Sequence, residues 1–476
     1  MEKWKFYVYV LLEAQINHEP DSMEFLAKCP ATLILSSRKN CQKFKSQHSV
    51  LRIVSARYLN RKLVLFLVRD RFLKVDMSVY ELLDQASCTV EETAFIIQHD
   101  WFEQFRSDRR KNERELEQDE KFYVGRRHVK KAVEYYDVFP HPEVANLKID
   151  GNLEIVEYNE EQRRLTIKDL HSNVQTDFHA PRIVYFGPHK TGILSLDATD
   201  AADFIASSDE NGKLLLWNRD TASILRDIEG HAMDVNVCRF FPGGSGLLTG
   251  GIDMTVRIWL ILESPAVNVI TFKGQRKAVT DVAVIDLGKE VLSASKDGSV
   301  RQWRCSDEAC IQNCQLDSGE VRAICLIPSL GAFAAACENR AVVVWSYKEG
   351  SHGMLMRFRL NDSCHPNSIS VINDSFLVVG SDEGTITVID LAEKKLHKVI
   401  TTGRGSVIRV KTIAEKEAVA VSFVDGSMVL YSYANATYNP IIELCNGDLD
   451  PVRDFTYINS KFYTASRDGV VRMFNF

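Results

Sequence analysis

The chain has 476 residues, of which 45% are hydrophobic and 26% are charged. These values match those of average globular proteins and exclude a wholly disordered or collagen-like chain. The 58 Lys and Arg residues against 64 Asp and Glu residues give a net charge of −6, which argues against a general nucleic-acid binder with a strongly basic face.

Apolar runs and cysteines predict the compartment. The longest apolar runs, Phe6–Leu12 and Leu63–Val68, are far shorter than the roughly 20 residues of a membrane-spanning helix, so we expect no membrane association. Eleven cysteines, several of them inside apolar strand-like runs, predict reduced core residues and a cytoplasmic or nuclear protein. The cluster of Cys305, Cys310 and Cys314 has no CxxC spacing and no paired His, so we predict no metal site and no cofactor.

The amino-terminal third divides into three predicted regions. Residues 1–90 form an extension of unknown role. Residues 91–150 are a charged helical segment and linker, because Asp100–Asp137 holds ten acidic and ten basic residues in alternation without a sustained heptad. Residues 151–181 form a small β subdomain, in which Leu153–Leu170 contains strands around a turn at Asn159.

The remainder, residues 182–476, is built from a repeat. Seven segments of equal length begin with a turn, continue as an alternating strand and end mostly on an aromatic residue. Their last residues are 42 to 44 positions apart. The segments are Asn211–Trp217, Asp253–Trp259, Asp297–Trp303, Asn339–Trp345, Glu383–Ile389, Asp425–Tyr431 and Asp468–Phe474.

This period is typical of a β-propeller of the WD type, in which each repeat forms a blade of four short strands. The pair Gly230-His231 and the terminal Trp259 match the markers of that repeat. A single blade cannot bury both of its faces, so seven blades stack around an axis and share a continuous core. We therefore predict an all-β fold, a seven-bladed WD-repeat propeller preceded by a smaller N-terminal α+β region.

The carboxyl end of the chain predicts how the ring closes. Phe476 lies only two residues after Phe474, which leaves no length for the outer strand of blade seven. The strand Arg182–Phe186 precedes blade one in the way that Ile224–Ile228 precedes blade two. We predict that Arg182–Phe186 supplies the missing strand and removes the open edge.

His231 and Asp253 beside Trp259 resemble an acid–base pair, but in this repeat they fit a structural tetrad that holds the turns of one blade. Only blade two is predicted to carry the full set, because blade three has Gln275 at the His position. No nucleophile elbow, phosphate-binding Gly loop or HExxH motif occurs, so we expect no catalytic residues and no enzyme activity.

Several motifs go beyond a generic propeller and resemble the proteasomal ATPase-associated factor family. The resemblance covers residues 95–476, and residues before it match nothing in that family. The motifs, in chain order, are Ile97–Trp101, Gly230–Pro242, Thr249–Asp253, Phe272–Gly274, Val291–Gly298, Asp450–Val452 and Tyr463–Gly469.

The resemblance implies a non-enzymatic chaperone, monomeric in our expectation, that binds an ATPase subunit of the proteasome regulatory-particle base. Residues from 182 onward hold 30 basic and 35 acidic side chains, so the propeller carries nearly all of the net charge. The repeat places several carboxylates on the loops and turns of one face, and we predict that they form an acidic docking face that steers a basic partner. These residues are Asp234, Glu320, Asp382, Glu383, Asp448 and Asp450.

Two other functions remain open. One is a substrate receptor of a cullin ubiquitin ligase, although the Trp-Asp-x-Arg adaptor motif is absent from blade ends such as Trp217-Asn218-Arg219. The other is a generic scaffold in RNA or ribosome assembly.

Overall fold

A computed structural model describes residues 43–46, 49–58, 61–68, 71–73, 81–82, 89–92, 94–105, 121–127, 129, 132–138, 147–149, 152–187, 189–201, 203–262, 265–348, 350, 353–361, 363–434, 438–446 and 450–476. The chain divides into two compact units, Met1–Val79 and Tyr80–Phe476. In the first unit four strands form one antiparallel sheet in chain order. They are β1 (Lys43–Ser46), β2 (Ser49–Tyr58), β3 (Arg61–Val68) and β4 (Arg71–Leu73).

The second unit begins with short elements. The first are β5 (Glu81–Leu82), β6 (Thr89–Glu91), β7 (Ala94–Ile97), helix α1 (Trp101–Phe105), β8 (Phe122–Arg127) and β9 (Glu134–Val138). β7, β8 and β9 form an antiparallel sheet. An antiparallel meander follows, with β10 (Leu147–Lys148), β11 (Leu153–Asn159), β12 (Arg164–Asp169) and β13 (Gln175–His179).

The predicted helix over Asp100–Asp137 is limited to α1 among the residues described there, because β8 and β9 are strands. Phe122 and Val124 are fully buried in a core cluster that also contains Trp101, and Tyr123 between them is more exposed. That spacing of two is a strand period. A balanced charge content fits a polar strand face as well as a helix surface, so charge alone did not distinguish the two. The predicted strands within Leu153–Leu170 are confirmed as β11 and β12.

Seven antiparallel groups of four strands, the blades, make up the remainder of the described chain, four of them as separate sheets and three within larger sheets. Blade one holds β15 (Ile193–Thr199), β16 (Phe204–Asp209), β17 (Leu214–Asn218) and β18 (Ile224–Ile228). Blade two holds β19 (Val235–Phe240), β20 (Gly246–Gly251), β21 (Thr255–Leu260) and β22 (Val267–Lys273). Blade three holds β23 (Val279–Ile285), β24 (Glu290–Ser295), β25 (Ser299–Arg304) and β26 (Ala309–Gln315). Blade four holds β27 (Val321–Ile327), β28 (Ala332–Cys337), β29 (Ala341–Ser346) and β30 (Gly353–Arg359).

Blade five holds β31 (Pro366–Ile372), β32 (Phe376–Ser381), β33 (Thr385–Asp390) and β34 (Lys395–Thr401). Blade six holds β35 (Val407–Ile413), β36 (Ala418–Phe423), β37 (Met428–Ser432) and β38 (Asn439–Leu444). Blade seven holds β39 (Val452–Ile458), β40 (Lys461–Ser466), β41 (Val471–Asn475) and β14 (Ile183–Tyr185).

The closing strand lies where the sequence predicted it. β14 pairs antiparallel with β41, with Ile183 opposite Met473 and Tyr185 opposite Val471. A strand from before blade one thus completes blade seven, and the prediction for Arg182–Phe186 is confirmed. The first strand of blade one also meets that of blade seven, because Ser195 Oγ donates a hydrogen bond of 2.8 Å to Asp454.

The second strand of each blade is almost completely buried, because neighbouring blades cover both of its faces. Small and β-branched side chains fill these positions, as in the run Ala332–Cys337, of which every residue is buried. Such strands read as continuous apolar runs rather than as an alternation. Cys337 at the end of this run is therefore a packing residue, and none of the eight cysteines in the described part of the chain forms a disulfide.

Three blades are extended at their outer edge by strands from the amino-terminal side. β5 pairs in parallel with β30 of blade four, β6 with β34 of blade five, and β13 with β38 of blade six. Each added strand satisfies backbone groups that an outer strand would otherwise present to water. The strands β5, β6 and β13 are therefore integrated into the sheets of blades four, five and six.

Candidate protein-binding faces and the polar networks behind them

Blade two contains a hydrogen-bonded tetrad behind one of its loops. His231 Nδ1 lies 3.0 Å from Asp253 Oδ2, and His231 Nε2 lies 2.7 Å from Thr249 Oγ1. The indole N–H of Trp259 donates to the same hydroxyl at 2.9 Å. Burial lowers the pKa of His231 despite the adjacent carboxylate of Asp253, and the imidazole links Asp253 to Thr249. The three residues that the sequence analysis singled out are therefore brought together, with Thr249 as the fourth member.

Blade one carries the same tetrad, so the expectation that only blade two holds a full set was wrong. His189 contacts Asp209 at 2.9 Å and Ser207 at 2.7 Å, and Trp217 Nε1 donates to Ser207 at 3.1 Å. The Gly-His marker does not reveal this tetrad, because Pro188 separates His189 from Gly187. Asp209, and Trp217 at the end of the repeat segment, were the sequence signal that could have identified this tetrad.

Blades three and four depart from the tetrad in different ways. In blade three, Gln275 replaces the imidazole and donates to Ser293 Oγ at 2.8 Å, and Trp303 donates to the same oxygen at 2.8 Å. In blade four the hydroxyl is missing, because the position of Ser293 is occupied by Ala335. The indole N–H of Trp345 accordingly has no acceptor among the residues that the structure describes.

Restoring that hydroxyl should stabilise the protein. We expect Ala335→Ser to raise the free energy of unfolding by about 1 kcal/mol, because the strand register places the new oxygen where Ser293 stands beside Trp303. Chemical denaturation measures the change. The matched control is Ala334→Ser, a buried neighbour that points to the opposite side of the strand and should lose about 1 to 3 kcal/mol. Equal losses in both variants would contradict the prediction.

Blade six uses an acidic residue from far away in the chain. Tyr431 stands at the Trp position, and its hydroxyl donates to Glu92 Oε2 at 2.8 Å. Arg404 forms ion pairs with Glu92 at 3.3 Å and with Glu443 at 2.9 Å, and all three side chains are nearly inaccessible to solvent. Burial raises the pKa of both carboxyls, although Arg404 lowers each of them. Sequence analysis missed this network, since no local pattern links residue 92 to residue 404.

A second buried network joins the first strands of several blades along the central axis. The fully buried carboxylate of Asp454 accepts hydrogen bonds from Leu196 N at 3.1 Å, Arg239 Nη1 at 3.0 Å and Lys411 Nζ at 2.8 Å. These donors belong to blades one, two and six. Burial alone would raise the pKa of Asp454, but Lys411 and Arg239 hold it well below its usual range. The network ties the closing blade to its neighbours.

The upper face is defined here as the face with the loops that enter the first strand of each blade and the turns between second and third strands. It carries the predicted docking carboxylates, of which Asp234 is half-buried and Glu383 is exposed. Asp448 lies outside the described residues. Asp382 Oδ1 accepts a hydrogen bond of 2.9 Å from the backbone N–H of His365 and so holds a turn.

Two of the predicted carboxylates have cationic partners on the same face. Glu320 lies 3.4 Å from Lys277 Nζ, and Asp450 lies 3.1 Å from Arg467 Nη2. These pairs are largely exposed, and such pairs contribute little free energy. A basic side chain of a partner could therefore replace Lys277 beside Glu320, or Arg467 beside Asp450, at a small cost in free energy. The upper face as described is mixed in charge rather than uniformly acidic.

The described residues contain no group of three or more His, Cys, Asp or Glu side chains placed to hold a metal ion. No helix within the described ranges has both the length and the apolar content needed to cross a bilayer.

Comparison with known proteins agrees with the tetrads and the blades. The family model described as WD domain, G-beta repeat matches residues 222–259 and 267–304, each of which runs from the last strand of one blade to the third strand of the next. The chain contains WD40 repeats. These repeats have tetrad residues at their boundaries, with Trp259 and Trp303 near the ends of the matched segments.

Similar curated proteins belong to more than one functional group. The chain is 35% identical to Proteasomal ATPase-associated factor 1 of Gallus gallus over 83 residues, which is 17% of this chain and 21% of that protein. It is 30% identical to Pre-mRNA-processing factor 19 of Oryza sativa subsp. japonica over 133 residues, 28% of this chain and 25% of that protein. It is 28% identical to the Ribosome biogenesis protein WDR12 homolog of Chlamydomonas reinhardtii over 140 residues, 25% of this chain and 31% of that protein. The chain thus spans less than a third of the length of these relatives.

Proposed function

We propose that this WD40-repeat protein is a non-enzymatic protein-binding scaffold that chaperones or regulates assembly of the proteasome regulatory particle by binding an ATPase subunit of its base. The observation that carries the proposal is the set of family motifs within residues 95–476, together with the similarity to Proteasomal ATPase-associated factor 1 of three organisms. The protein would act as a monomer in the cytoplasm or nucleus.

The upper face is the proposed contact surface, because rigid blades there present variable loops. Asp234 and Glu383 are the foremost contact residues. Glu320 and Asp450 would join them by releasing Lys277 and Arg467 to solvent. Facing a basic partner, these carboxylates speed encounter and set the register of the complex more than they add affinity, and salt weakens them.

Charge reversal tests this surface. We expect Asp234→Lys combined with Glu383→Lys to weaken binding to a purified base ATPase by about tenfold at low salt, mainly through a slower association rate. Surface plasmon resonance against each ATPase subunit in turn measures it. The matched control is Asp307→Lys, an exposed carboxylate in a loop at the other end of blade three. Unchanged association at low salt in the double variant would exclude the upper face.

A second function is supported by other relatives. Pre-mRNA-processing factor 19 and the ribosome biogenesis protein are similar over comparable shares of the chain, which favours a scaffold in RNA or ribosome assembly. Quantitative mass spectrometry of proteins that co-purify with the tagged chain at low salt discriminates the two. Base ATPases enriched above lid and core subunits would favour the proteasome function. Ribosomal or splicing proteins without ATPases would favour the alternative.

A further inference from the structure

The lower face is the opposite end of the blades, with the turns between first and second strands and between third and fourth strands. In blade three, the turn between the first and second strands contains Asp286, Leu287 and Gly288. All three residues have positive φ, at 46°, 55° and 102°. Leu287 is 86% exposed. A bulky apolar side chain is a rare outlier at positive φ. The corresponding turn of blade five has Asn373 and Asp374 there, which tolerate this conformation.

Further apolar side chains surround Leu287 on this face. A Cβ on Gly288, the residue after Leu287, would meet the half-buried ring of Phe241 in blade two. On the other side, half-buried Tyr347 donates its backbone N–H to Gly331 O at 3.0 Å, next to Leu330, which is 36% exposed. Leu262, in the last loop of blade two, is 61% exposed. We refer to these exposed or half-buried residues at the lower ends of blades two to four as the apolar strip.

Two carboxylates adjoin this strip. Asp286 precedes Leu287, and Asp374 Oδ2, from the lower face of blade five, accepts a hydrogen bond of 3.2 Å from Ser329 N beside Leu330. Burial first, and then the charges of Asp286 and Asp374, raise the pKa of Tyr347. Lys289 follows Gly288 in the chain, and a Cβ on Gly331 would meet the side chain of Lys348. The strip thus offers exposed apolar side chains next to the carboxylates of Asp286 and Asp374.

We propose that this strip is a second docking site, separate from the upper face, for a partner-protein segment with an Arg or Lys between apolar side chains. The apolar side chains would cover Leu287 and Leu330 and remove exposed apolar surface. The cation would reach Tyr347 and the carboxylates of Asp286 and Asp374, which is the complementary charge. The strained Leu287 is the central anchor of this docking site. Strained backbone conformations cluster at binding sites.

The test uses the full chain and a phage-displayed library of random linear peptides. We expect selection to enrich peptides in which a basic residue is flanked by apolar ones. In fluorescence anisotropy, Leu287→Asn should weaken the selected peptides by about tenfold and Asp286→Asn by about threefold. Leu287→Asn should keep or raise the melting temperature, because Asn tolerates positive φ. Loss of binding is then separated from loss of folding.

Met254→Asn is the matched control, because Met254 is also an exposed apolar residue with positive φ, 62°, but lies in an upper-face turn of blade two. It should leave peptide affinity unchanged, as should Asp234→Lys. Enrichment of acidic or purely apolar peptides, equal losses in Leu287→Asn and Met254→Asn, or no loss in Leu287→Asn would each overturn the proposal. Because ATPase binding is measured on the upper face, its failure would leave this result unaffected.

Discussion

Asp454→Ala should lower the free energy of unfolding by about 3 to 5 kcal/mol, one of the largest effects of any single replacement in the propeller. The alanine removes a fully buried carboxylate that compensates Lys411 at 2.8 Å and Arg239 at 3.0 Å. Both cations then remain in the interior without their closest opposite charge. The same change removes the hydrogen bonds that Asp454 accepts from Ser195 and Leu196 of blade one. Urea denaturation followed by tryptophan fluorescence measures the loss.

The companion variant is Asp281→Ala, which removes another buried aspartate of the central axis. Its nearest cation is Arg409 at 3.8 Å, and it accepts the backbone N–H groups of Val282 and Ile324, each at 3.1 Å. We expect a loss of about 1 to 2 kcal/mol in the free energy of unfolding, since two hydrogen bonds disappear but no closely paired cation loses its partner. If both variants lost the same free energy of unfolding, the unpaired cations would not be the cause of the Asp454→Ala effect.

Arg404→Met should also lower the free energy of unfolding by about 3 to 5 kcal/mol. It should in addition weaken the pairing of β6 with blade five. Arg404 is the cation that compensates two buried carboxylates, Glu92 and Glu443, and removing it leaves both without an opposite charge at contact distance. One of them, Glu92, directly follows β6, whose pairing with β34 extends blade five. We expect hydrogen exchange of the β6 amides to accelerate more than that of blade two.

Glu92→Gln provides the comparison for the blade six network. Gln keeps an acceptor for the Tyr431 hydroxyl, and Glu443 continues to compensate Arg404. We expect a loss below about 1 kcal/mol, because burial already raises the pKa of Glu92 and its charge is costly there. A loss as large as that of Arg404→Met would mean that the ion pair with Glu92, rather than the cation itself, holds the segment.

Features with a local signal were predictable. The spacing of the seven segments predicted the blades, of which the family model matches blades two and three. The short distance from Phe474 to Phe476 predicted that β14 closes blade seven. Asp253 and Trp259 were placed in a tetrad because their positions repeat within each blade. The tetrad of blade one, with Ser207 in the place of Thr249, was not predicted, because Pro188 separates His189 from Gly187 and so interrupts the Gly-His marker.

The docking surfaces were predictable only in part. The repeat alignment placed Asp234 and Glu383 on turns of the upper face, but it could not indicate that Lys277 approaches Glu320 or that Arg467 approaches Asp450. Those cations come from a neighbouring blade or a different loop. The apolar strip around Leu287 was also invisible, because its strain depends on backbone dihedral angles and its neighbours come from three blades.

The sequence by itself determined the strand pattern, the repeat and the residues that recur at blade turns, because each is encoded within about one repeat length of chain. Tertiary structure alone decided that Glu92 enters blade six beside Arg404, that Arg239 reaches Asp454, and that β13 joins the edge of β38. A buried charge requires a partner, but the requirement does not state from which segment the partner comes. Only the closure of the ring brings those segments within hydrogen-bonding distance.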